Sequence, residues 1–127
     1  MPIKRLDPES LVKFKGLHQT TRDGNTVYIS GQVAVDEQGN LQGQGSIEKQ
    51  LEQVFKNLEN ACKANGGTLT NLVKTTTFIV DRAHFPAVSA FRQKLYGANA
   101  PANTTVIVAG LARPEWLIEI EGVAVID

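Results

Sequence analysis

Thiols, histidines, long apolar runs and charge of a single sign are all scarce in this sequence, and each scarcity closes a class of function. The one cysteine, Cys62, cannot form an internal disulfide. Only two histidines, His18 and His84, stand beside it, and their spacing assembles no conventional metal set, so no metal is expected. Thirteen basic and thirteen acidic residues cancel. Neither sign is gathered into a run, which leaves no electrostatic footprint for a nucleic acid partner or a membrane surface. No apolar segment approaches the ~20 residues that cross a bilayer, and Met-Pro-Ile-Lys-Arg at the N-terminus lacks the apolar core of a signal peptide. A soluble, cytoplasmic protein is expected. The glycines at 39, 43 and 45 lack the strand and turn context of a dinucleotide fingerprint, and no phosphate-cradling loop precedes a helix, so no nucleotide cofactor is predicted.

What is present is a patterned chain of 127 residues, 42% hydrophobic, the size of a single domain spanning 1–127. Residues 3–6 read as a short edge strand followed by a loop. Asp23-Gly24-Asn25 is a turn between a strand starting near Gln19 and the β-branched run Thr26 to Val35, a hairpin. Gly31 inside that run marks a bulge or a place where something approaches the backbone closely. Residues 36–45 form a loop. Ser46 can cap a helix whose apolar positions Ile47, Leu51, Val54, Phe55, Leu58, Ala61 and Cys62 recur at helical steps, ending at Asn65-Gly66-Gly67. Cys62 on that stripe suits a small buried hydrophobe.

Residues 71–80 read as a central strand, semi-apolar on both faces. Asp81 can cap a second helix with the stripe Phe85, Val88, Phe91 and Leu95 and Pro86 in its first turn; Gly97 ends it. Two strands follow, separated by a break at 110–116. Period-two alternation in the last places Ile118, Ile120, Ala124 and Ile126 on one face, and Leu117, Glu119, Glu121 and Val123 on the other. Such a mixed face suits a solvated strand, a wet subunit interface or the floor of a polar cleft. The order predicts an α+β fold, a mostly antiparallel sheet with two helices on one face. The uncovered face, with its apolar residues, points to a homo-oligomer packing sheet against sheet. His18, at a loop-to-strand junction, is a candidate base or an idle surface histidine.

Gly24-Asn-Thr-Val-Tyr-Ile-Ser-Gly-Gln32, the helix positions Gln50, Gln53, Asn57 and Leu58, the Gly66-Gly67 end, Val73-Lys74-Thr75, Pro101-Ala102 and Glu119-Ile-Glu121 together resemble the Rid (YjgF) family. The resemblance spans nearly the whole chain. It implies a chorismate-mutase-like fold assembled as a homotrimer, with small-molecule clefts between subunits. Its best-known members hydrolyse reactive 2-imino or enamine acids to the 2-keto acid and ammonia, without a cofactor of their own.

The same resemblance implies a site in which Glu119 positions or activates the attacking water and the backbone of Gly31 approaches the ligand. It also implies three changes. Asn103 stands where the family has an arginine that clamps the substrate carboxylate, Thr105 where it has a cysteine, and Leu17, beside His18, where it has a tyrosine. The connection before Glu119 is one residue longer and contains Arg113 and Trp116. Losing the arginine removes a contact worth roughly 1.5 to 3 kcal/mol. Weak or absent deaminase activity toward 2-iminobutanoate or 2-iminopropanoate is therefore expected, with a less anionic ligand lined by Leu17, His18, Gly31, Asn103, Thr105, Trp116 and Glu119, unless Arg113 restores the charge. A hydrolase of an altered imine, enamine or related C–N substrate and a non-catalytic protein that binds a small metabolite are the two function classes left.

Overall fold

The computed structural model of the chain describes residues 2–127. Its elements in order are β1 (Lys4–Leu6), β2 (Thr20–Asp23), β3 (Thr26–Gln32), α1 (Ile47–Ala64), β4 (Leu72–Ile79), α2 (Phe85–Tyr96), β5 (Ala102–Ile107) and β6 (Ile118–Val125). They form one six-stranded sheet in the order β1-β2-β3-β6-β4-β5. All neighbours are antiparallel except β4 and β5, which run parallel because α2 carries the chain back between them. The sequence-predicted α+β layout holds, and the C-terminal strand lies in the middle of the sheet.

Local chemistry explains the element ends. Gly24 takes φ 60°, the left-handed conformation that lets β2 turn tightly into β3. Ser46 caps α1 by accepting from the Lys49 amide at 3.2 Å, and Gly66, at φ 87°, lets the chain leave the helix. The apolar stripe of α1 packs on the face of β6 that carries Ile118, Ile120 and Ala124, all fully or almost fully buried. Cys62 lies in this core, and burial first, with Glu59 adding to it, pushes its thiol up to about 11, so it stays protonated and inert.

Two expectations change. The strand predicted to continue to Val35 stops at Gln32, because the bulge at residues 30–31 shifts the register and the chain then leaves the sheet. In α2, Val88 is buried and Phe91 partly so, but Phe85 and Leu95 are exposed and Tyr96 is buried instead. Packed helices touch chiefly where they cross. The crossing here is at Phe55, which stacks on Phe91 at 5.3 Å and meets Tyr96 edge-on at 5.7 Å. Phe85 lies beyond that contact. The sheet face away from the helices is uncovered, and Tyr28, Val73 and Val125 stand exposed on the strands.

Candidate functional site

The site begins with the bulge. Ile29 pairs with Gly122 and Gln32 with Ile120, so β3 spends three steps where β6 spends two. The extra residue turns the backbone of Gly31 toward the side chain of Glu119 on the uncovered face. A β-carbon at residue 31 would collide with Glu119 Oε2 and stand 2.7 Å from its Cδ. Around the pair is a groove of about 450 Å³ lined by Phe14, Leu17, Gln19, Ser30, Gly31, Val33, Ala112, Trp116 and Glu119. Its walls are mostly apolar. Loss of water there, reinforced by Glu121 on the same face, raises the Glu119 pKa above its ordinary value. A carboxylate so placed is a stronger base than one in water, and it has no cation within 4.0 Å among the described residues.

Buried amides on α1 hold both walls of the groove. Gln50 donates Nε2 to the carbonyls of Glu115 at 3.0 Å and Gly43 at 3.2 Å, and its Oε1 accepts from the Leu117 amide at 2.9 Å. That fixes the segment entering β6 just before Glu119. Asn57 donates to the carbonyls of Val33 and Val35, each at 3.0 Å, and accepts from Gln53 at 2.8 Å, which fixes the chain just after Gly31. At the groove's polar end, Gln32 donates to Gln19 Oε1 at 2.7 Å.

The structure brings Leu17, Gly31, Trp116 and Glu119 together, and puts the other sequence candidates elsewhere. His18 pairs with Asp7, Nδ1 to Oδ2 at 2.5 Å, and lines a separate hollow with Lys74 and Glu121. Arg113 borders a hollow with Phe14, Asn40 and Glu115 on the far side of Trp116. Asn103 and Thr105 lie on edge strand β5 beside Thr75 and Thr77, on the helix side of the sheet.

Asn103 is part of a network. With the amide oriented so that both its ends are satisfied, Nδ2 donates to Thr75 Oγ1 and Thr77 Oγ1, each at 2.9 Å. Its Oδ1 then accepts from Thr105 Oγ1 and from Arg92 Nη1, each at 2.8 Å. Arg92 Nη1 also reaches Thr105 Oγ1 at 3.1 Å. A hollow of about 230 Å³ opens here, lined by Thr75, Ser89, Arg92, Gln93, Tyr96, Gly97, Ala100, Pro101 and Asn103. Desolvation lowers the Arg92 pKa, partly offset by Tyr96.

A family model described as Endoribonuclease L-PSP matches residues 8–126. The crystal structure of RidA from the Antarctic bacterium Psychrobacter sp. is 31% identical and superposes with a TM-score of 0.89, covering 97% of this chain and 99% of that one. The chain belongs to the Rid (YjgF) family. Among its Rid relatives, a 2-iminobutanoate/2-iminopropanoate deaminase of Homo sapiens is 35% identical over 100 residues, 79% of this chain and 72% of the relative. A RutC family protein of Synechocystis sp. is 39% identical over 102 residues, 79% of this chain and 78% of the relative. No helix in the described residues of this Rid chain is long and apolar enough to cross a membrane.

Sequence reasoning missed Phe14, Gln19 and Ser30 in the groove and Arg92 beside Asn103. Only Arg92 left a legible trace. It stands four residues after Val88 and four before Tyr96, a cation on the inward line of an otherwise apolar helix face.

Proposed function

We propose that this Rid-family chain is a cofactor-independent hydrolase of a small reactive imine, or of the enamine that tautomerises to it, with Glu119 as the group that moves the proton. The observation that carries this reading is the half-buried Glu119 carboxylate, raised in pKa and seated against Gly31 in an apolar groove. Desolvation favours a base poised nearer neutral pH, where it can take a proton from water and return it. Glu119 accepts a proton from the water as its oxygen bonds to the imine carbon and the C=N electron pair moves to nitrogen, and then passes that proton to the nitrogen. Glu119 then takes the hydroxyl proton of the resulting carbinolamine and delivers it to the amino nitrogen as the C–N bond breaks, giving a carbonyl and ammonia. One water is consumed and no oxidant or reductant is needed.

The named activity of the human relative makes 2-imino acids the first class to test. Asn103 itself offers a substrate carboxylate no charge, so turnover of the two named imino acids would be weak unless a neighbouring cation takes the carboxylate. RNA cleavage, which the family description names, would call for a cationic surface facing the polyanion, and equal numbers of acidic and basic residues without a basic run offer it no support. The assembly we propose is a homotrimer in the cytoplasm, with the exposed apolar residues of the uncovered sheet face covered by neighbouring copies. Light scattering should give three chains at micromolar concentration, and a stable monomer would remove the interface clefts.

Ammonia release is measured with a pyridoxal-phosphate dehydratase generating the imine in place. The wild type should accelerate it, and Glu119→Gln should return the rate to the spontaneous one. An unaltered rate in that variant would overturn the role of Glu119. Ligand binding without any acceleration would leave the chain a metabolite-binding protein.

A further inference from the structure

We infer that Arg92 is the carboxylate-holding residue of this protein, reaching a small monocarboxylate from α2 in the hollow between α2 and β5. Three observations carry it. The guanidinium is partly buried, yet no Asp or Glu among the described residues lies within 4.0 Å of it. A sequestered cation without a counter-charge is costly to hold and is relieved by an incoming anion. Second, Nη1 alone is engaged, by Asn103 Oδ1 at 2.8 Å and Thr105 Oγ1 at 3.1 Å. The Nε and Nη2 edge, the side of the fork that takes a carboxylate through two parallel bonds, has no protein partner among the described residues. Third, the fork is preorganised: Asn103 is itself locked by Thr75 and Thr77 and holds Nη1, and Arg92 and Asn103 both line a hollow of about 230 Å³, with ample room for a small keto or imino acid.

In this arrangement Asn103 is a positioning residue. The positive charge comes from a helix instead of from β5, and a small 2-imino acid becomes a substrate of ordinary charge. That the carboxylate is the imine's own rests on the hydrolase reading above; carboxylate binding by Arg92 does not. Within one chain Arg92 lies on the helix side of the sheet and Glu119 on the other, so a substrate touching both takes them from two copies.

The test is calorimetry with 2-oxobutanoate, the stable keto acid, and with its neutral amide. The wild type should bind the acid in preference to the amide. Arg92→Gln should weaken the acid about tenfold or more and erase that preference, Arg92→Lys should fall between, and Lys94→Gln, which removes an exposed cation from the same helix, should bind the acid as the wild type does. In the ammonia assay Arg92→Gln should raise KM more than it lowers kcat, the mark of a lost binding contact. Acid binding that survives in both Arg92 variants, or a wild type that does not distinguish acid from amide, overturns the inference. Loss of acid binding in folded Arg92→Gln, with Lys94→Gln unaffected, upholds it even where no ammonia is released.

Discussion

Gly31 and Glu119 face each other across β3 and β6 so closely that no side chain fits at residue 31 without moving the carboxylate. The obstructing atoms are the far end of a flexible side chain, so Gly31→Ala can be absorbed by rotating Glu119 away. The variant should fold and melt within about 1 kcal/mol of the wild type while losing at least tenfold in ammonia release, as expected of a misplaced base. An active Gly31→Ala would show that the carboxylate position is not used.

The raised pKa of Glu119 sets two pH effects. As a base it must be ionised, so kcat/KM should fall on the acid side with an inflection above the ordinary glutamate value of 4.5. For stability the sign is the opposite of the usual carboxylate case. The folded state binds the proton more readily than the unfolded chain, so stability declines as pH rises from the ordinary value through the raised one. Glu119→Gln should therefore melt higher than the wild type at pH 7 while being inactive.

Gln50 satisfies three backbone groups from a fully buried position. Gln50→Ala would strand the Leu117 amide and the Glu115 carbonyl, at about 1 to 3 kcal/mol for each group that water cannot reach. A denaturant melt should show the loss, and activity should fall further than stability accounts for, because the displaced segment leads into Glu119.

Leu58 and Phe85 separate the true core from the expected one. Leu58 is fully buried, and Leu58→Ala should cost about 2 to 5 kcal/mol. Phe85 is 41% exposed, and Phe85→Ala should cost well under that, about 1 kcal/mol or less. Equal losses in chemical denaturation would place Phe85 back in the core.

The Asp7 pKa is lowered, chiefly by the backbone hydrogen bond from Gln19 at 2.8 Å, against an opposing effect of burial, and further by His18. A depressed folded value contributes stability that is present above the ordinary aspartate value of 3.8 and is lost as pH falls through the folded one. Asp7→Asn should flatten the acid limb of the stability curve below about pH 4 and leave the shape above pH 5 unchanged, as read from melts across that range.

Much of this molecule was determined within short stretches of sequence. The hairpin at Gly24, the Ser46 cap, the seven-position stripe of α1 and the alternation that buries Ile118 and Ile120 while leaving Glu119 and Glu121 opposite are consequences of backbone sterics and of periods of 3.6 and 2. Each involves residues a few positions apart, so each is legible without a partner. Gly31 was legible as a bulge for the same reason. What faces that glycine was decided only in three dimensions, by the register between β3 and β6. The crossing of α2 over Phe55 likewise turned Phe85 outward and Tyr96 inward, and the parallel pairing of β4 with β5 brought Asn103 against Thr75 and Thr77 and under Arg92. Those contacts join elements whose relative placement depends on how whole faces pack, a sum over many small terms that no local pattern encodes.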